Sequence, residues 1–86
     1  MQKYLKVKKG ESIENAITIN SSNTLMGIAE EYRHIEVMYG KRDKDWILLE
    51  QNLLRIDQKS YDQIIIQTDG LKKEIFFEIT SFFGKL

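Results

Sequence analysis

His34 is the only histidine in this chain and there is no cysteine, so the usual instruments of catalysis and metal binding come down to one side chain. A general base needs a reacting group within hydrogen-bond reach, and a zinc site needs several nitrogen or sulfur ligands. His34 has no second histidine or thiolate to work with, and no carboxylate pair is spaced around it for metal capture. Beside an apolar helical stripe it reads as an ordinary rim residue. No serine sits in a Gly-x-Ser-x-Gly elbow either. Catalytic residues, metal ligands and cofactor contacts are therefore all expected to be absent, and the chain does not read as an enzyme.

Two other groups could bind rather than react. Lys41-Arg42-Asp43-Lys44, followed by Trp46, has the make-up of a loop that holds an anion or nucleic acid, with a ring for base stacking. Lys3, Lys6, Lys8 and Lys9 would enlarge that basic surface if the first strand lies near it. An ordinary explanation also suffices: cations complement the negative end of a helix, and Trp46 opens a buried strand. Gly40-Lys41 is not a phosphate loop, because that motif needs a glycine five residues earlier and a Ser or Thr next, where this chain has Ile35 and Arg42. The second group is Phe76, Phe82 and Phe83. With Phe77 pointing inward, Phe76 points to the other sheet face, where three rings could gather as an interaction surface. The competing expectation is that the rest of this small domain covers them.

The elements that carry these residues follow from periodicity. Tyr4-Leu5-Lys6-Val7-Lys8 alternates apolar with basic and predicts a half-buried strand at a lysine-guarded edge. Lys9-Gly10-Glu11 turns the chain, Ser12 to Asn15 is a helical turn or loop, and Ala16-Ile17-Thr18-Ile19 is a short strand. Ser21-Ser22-Asn23-Thr24 caps a helix start. Leu25, Ile28, Ala29, Tyr32, Ile35 and Tyr39 then recur at helical spacing, which predicts a helix over residues 23–39 with Glu30, Glu31, Arg33 and Glu36 on its wet side. Gly40 supplies the stop.

The second half, Trp46 to Phe83, holds Trp46, Tyr61 and all four phenylalanines. Trp46 to Ile56 contains the doublets Leu48-Leu49 and Leu53-Leu54, so a bulge is expected, placed near Gln51-Asn52. Asp57-Gln58-Lys59-Ser60 is a polar turn, Tyr61 to Thr68 a strand, and Asp69-Gly70 a hairpin signal. Lys72 to Ile79 returns. A two-residue loop at the hairpin would set Ile64 opposite Ile75. A three-residue loop, preferred for the common face it gives the apolar residues, would set Ile65 opposite Ile75 and Tyr61 opposite Ile79.

Eighty-six residues with 42% hydrophobic and 30% charged side chains make one globular domain. The formal net charge is zero, which weakens the nucleic-acid reading, because phosphate neutralisation normally demands a basic excess. No stretch approaches the ~20 apolar residues of a membrane span, and the lack of cysteine fits a reducing cytoplasm, so a cytoplasmic location away from membranes is expected. The absence of proline fits an AT-rich, bacterial genome.

The fold class expected is α+β: one amphipathic helix on a mostly antiparallel sheet of four or five strands ending in a three-strand meander. Its core is expected to hold Leu5, Val7, Leu25, Ile28, Ala29, Tyr32, Ile35, Trp46, Leu48, Ile65, Ile75, Phe77 and Ile79. The function expected is a small protein-interaction module, with another protein or a second copy of itself as partner through Phe76, Phe82 and Phe83. The alternative is an accessory nucleic-acid or phosphate-ligand binder using Lys41, Arg42, Lys44, Lys6 and Lys8.

Overall fold

The computed structural model describes residues 9–84. The expected strand Tyr4–Lys8, with its core candidates Leu5 and Val7 and its cations Lys6 and Lys8, lies outside the described residues. Within them the order is β1 (Ile17–Thr18), α1 (Thr24–Tyr39), β2 (Ile47–Ile56), β3 (Lys59–Thr68) and β4 (Leu71–Glu78). The four strands form one sheet in the order β1-β4-β3-β2. β1 runs parallel to β4, and β2, β3 and β4 are an antiparallel meander. This is an α+β fold, with one helix on a four-stranded, mostly antiparallel sheet.

Local chemistry explains where the helix starts and stops. The Asn23 side chain accepts the Met26 N–H at 2.9 Å, relieving one of the orphan donors of the first turn. At the far end Gly40 adopts φ 102°, and its N–H donates to the Glu36 carbonyl at 2.9 Å. The face turned to the sheet differs from the one expected. The fully buried positions of α1 are Gly27, Glu31 and Ile35. Leu25, Ile28 and Ala29 are exposed, Leu25 by 80%.

The cause of this rotation lies at Gly27. A Cβ there would fall 2.5 Å from ring carbons of Phe82, so the missing side chain is what lets the C-terminal turn press its ring against the helix. Ser81 and Phe82 tie that turn down. Ser81 Oγ donates to the Ile19 carbonyl at 2.8 Å, and Thr24 Oγ1 donates to the Phe82 carbonyl at 3.3 Å.

Both hairpins have two-residue loops. Asp57 and Gln58 have φ of 51° and 67°, and Asp69 and Gly70 have 51° and 75°. Positive φ at both central positions marks the type I′ turn, whose twist matches that of the strands it joins. The register is thereby Ile64 opposite Ile75 and Thr68 opposite Leu71, which corrects the three-residue loop. Ile64 and Ile66 face the helix, and Ile65 is half-buried on the other side. The bulge in β2 falls between Leu48 and Glu50 rather than near Gln51-Asn52, so the first leucine doublet is the one that breaks alternation.

The core joins Ile17, Ile19, Ile35, Trp46, Ile64, Ile66, Ile75, Phe77, Ile79 and Phe82, with Tyr32, Tyr39 and Leu48 packed against it. Leu25, Ile28, Ala29 and Ile65 are not members, whereas Ile35, Trp46, Ile75, Phe77 and Ile79 are.

Candidate interaction surface

β2 is the outer strand beyond β3, and among the described residues nothing pairs with its free edge. Six of its ten residues are Ile or Leu, yet none of the ten is buried. Natural edge strands are usually short or blunted with lysine or proline. This one is long, carries only Glu50 and Arg55 as charges, and has its single bulge near one end. Alternate N–H and C=O groups along it point away from β3 without a strand partner, because an antiparallel ladder uses only half of each strand's polar groups.

Beside this edge runs a groove of about 340 Å³ between α1, β2 and the C-terminal turn. Ile28, Leu53, Ile79, Phe82 and Phe83 form its apolar wall. Leu53 is 54% exposed and Phe83 40% exposed. The apolar residues that the helix turns away from the sheet, Ile28 in particular, therefore have a place: they line the flank above the free strand. The guanidinium of Arg55 lies 6.0 Å from the Phe83 ring and donates to Ser60 Oγ at 3.2 Å, which fixes the ring at the groove's end.

Asp62 contributes the groove's acidic group and is 8% exposed. Behind it stands Glu31, fully buried, with no hydrogen-bond donor for either carboxylate oxygen. Burial raises the Glu31 carboxyl to about 9, and its hydrogen bond with Asp62 and the charge on Asp62 act in the same direction. At neutral pH Glu31 therefore holds its proton, which lets a carboxyl group stand fully buried beside Asp62. The sequence pattern put Glu31 on the wet side. The signal that could have corrected it was Gly27-x-x-x-Glu31-x-x-x-Ile35, a stripe of helical period centred on an acid, facing Asp62 two residues before the run Ile64-Ile65-Ile66.

The aromatic trio is divided. Phe82 is 1% exposed, held under Gly27, and Phe76 is also buried, so of the three only Phe83 opens to solvent. Lys41, Arg42 and Lys44 are exposed on the loop that joins α1 to β2. That loop is knitted to its neighbours. The Asp45 carboxylate accepts the Lys41 N–H at 2.7 Å, Trp46 Nε1 donates to the Gly40 carbonyl at 2.8 Å, and Arg42 lies 5.2 Å over the Tyr32 ring. Tyr32 in turn stacks on Trp46, with ring centroids 6.3 Å apart. His34 is half-buried, its ring 6.1 Å from Phe77.

Among the described residues no group of three or more His, Cys, Asp or Glu side chains could hold a metal ion, and no helix is long and apolar enough to cross a membrane. Compared with known proteins, the chain matches no family model, no curated protein and no solved structure.

Proposed function

We propose that this domain is a protein-interaction module that takes an extended segment along the free edge of β2. The observation that carries the reading is a ten-residue outer strand, rich in Ile and Leu, with no buried residue and an apolar groove alongside. Strand addition draws affinity from main-chain hydrogen bonds and specificity from pockets that receive alternate side chains. The outward polar groups of β2, which no strand among the described residues pairs with, supply the first, and the groove walled by Ile28, Leu53 and Phe83 supplies the second. Phe83 keeps the role expected of it, while Phe76 and Phe82 serve packing. The alternative, an accessory binder of nucleic acid or a phosphate ligand through Lys41, Arg42 and Lys44, rests on a loop whose three cations stand among two acids, Asp43 and Asp45. No contact favours it over strand addition.

The test is selection of displayed eight- to ten-residue peptides against dilute protein, repeated against Leu53→Lys. Peptides with apolar residues at alternate positions are expected to enrich, and Leu53→Lys is expected to weaken them at least ~tenfold by placing a cation against the apolar side chains they bring. Enrichment that ignores Leu53, or none at all, would discard the edge as a docking surface.

A further inference from the structure

We infer that the segment taken up by β2 is the β2 strand of a second copy of this chain, paired antiparallel about a two-fold axis at Leu53. This rests on the strand-addition reading and names the occupant.

The argument begins with symmetry. When two identical strands pair antiparallel about an axis perpendicular to the sheet, directly opposite residues must share a face. Side chains alternate faces with period two, so the numbers of opposite residues add to an even value and one residue stands opposite itself. The bulge between Leu48 and Glu50 leaves Glu50–Ile56 as the regular part of β2. The middle of that segment is Leu53, so an axis there uses all of the regular edge and none of the irregular one.

Chemistry favours the same register. Leu53 lies opposite Asp62 within its own sheet, on the side covered by the helix, and is the most exposed large apolar residue of β2. Pairing it with itself buries two leucines at the axis and brings the two flanks that carry Ile28 towards each other. Gln51 then faces Arg55 of the second copy, two polar groups able to hydrogen-bond, and Asn52 faces Leu54. No like charges stand opposite one another, because Glu50 meets Ile56. The formal net charge of zero means that two copies do not repel at neutral pH. A seven-residue antiparallel pairing adds about six to eight main-chain hydrogen bonds, and the joined sheet has eight strands with both helices on one face.

The chain has no cysteine, so a single introduced thiol reports the register directly. In Leu53→Cys the two Cα atoms would stand ~4.5–5.5 Å apart, within disulfide range. In Gln51→Cys the thiols would be offset by four residues, about 13 Å along the strand, and out of reach. Mild oxidation is expected to convert Leu53→Cys to a covalent dimer and leave Gln51→Cys monomeric. Light scattering of the unmodified protein over a hundredfold concentration range is expected to give a dimer that Leu53→Lys weakens at least ~tenfold. Circular dichroism checks that both thiol variants stay folded.

Crosslinking of Gln51→Cys in preference to Leu53→Cys would overturn the register. A monomer at every concentration, with neither variant crosslinked, would overturn the second copy as occupant. Selected peptides that still bind that monomer through Leu53 would keep strand addition standing. Outward β2 amides protected from hydrogen exchange in a dilute monomer would sink both, because the edge would then be covered from within the chain.

Discussion

β2 and β3 are ten residues long, lie side by side in one sheet, and both carry runs of large aliphatic side chains. Ser60, Tyr61, Asp62, Ile64 and Ile66 of β3 are buried, whereas every residue of β2 keeps contact with solvent. Composition alone would predict the reverse, since β2 has six Ile or Leu and β3 three; place in the sheet decides. β3 has strand neighbours on both sides and the helix above, so even an aspartate there is enclosed. Among the described residues β2 has one strand neighbour, and its leucines reach past the shelter of α1. Apolar content thus tells how much surface a strand would bury, and topology decides whether the domain itself can bury it.

The comparison can be broken first at its interior side. Phe77 is fully enclosed on β4, between β1 and β3, and Phe77→Ala is expected to cost about 3–5 kcal/mol in denaturant unfolding. A loss below 1 kcal/mol would mean that the centre is no better packed than the edge.

Next in size is the pH dependence set by Glu31. An unfolded glutamic acid titrates near 4.5 and the folded one near 9. Between those values the native state holds a proton that the unfolded state has released, so stability falls as pH rises. It is fully present below about 4.5 and declines through the window up to about 9. The slope is ~1.4 kcal/mol per pH unit, about 3 kcal/mol between pH 6 and pH 8 for this group. Glu31→Gln keeps the shape of the protonated acid and cannot ionise, so it is expected to flatten that slope and to exceed the parent in stability at pH 8. Urea midpoints at several pH values read both, and parallel curves for the two proteins would refute a protonated Glu31.

Gly27→Ala comes third, at about 1–3 kcal/mol, since the added methyl has to displace the Phe82 ring. An increase in melting temperature, the usual result of replacing an exposed helical glycine, would mean that the ring is free to move. The smallest effect belongs to the outer strand. Leu53→Lys is expected to change the stability of the isolated domain by no more than ~0.5 kcal/mol while altering its association. A loss of several kcal/mol there would place Leu53 in the core and erase the contrast with Phe77.

Much of the architecture could be read from residue types because it is locally encoded. Asn23 and Gly40 bound the helix by side-chain capping and by a positive φ, and Asp69-Gly70 makes its turn with two residues that tolerate the left-handed region. The helix face was harder to read. Leu25, Met26, Val37 and Met38 give α1 apolar side chains away from the sheet, so its pattern offers more than one inward stripe. The choice rests on a contact between Gly27 and Phe82, 55 residues apart in the chain, and on a proton that makes Glu31 tolerable indoors.

The candidate surface was hidden for a related reason. Leu53 is a docking residue only because β1 joins the sheet beside β4 and leaves β2 outermost, and a pairing over sixty residues leaves no periodic trace. Phe82 and Phe83 are adjacent and alike in type, yet one is enclosed and the other open, a difference made by the turn that carries them.

The parallel pairing of Ile17 with Phe77 also bears on how the polypeptide is made. At ribosomal rates of about 5–20 residues per second, roughly 3–12 seconds separate the synthesis of these two partners. In that interval β1 has no strand to join and Gly27 has no ring to receive. Closure waits for Phe82 to leave the exit tunnel, so any product terminated before that residue lacks the clasp.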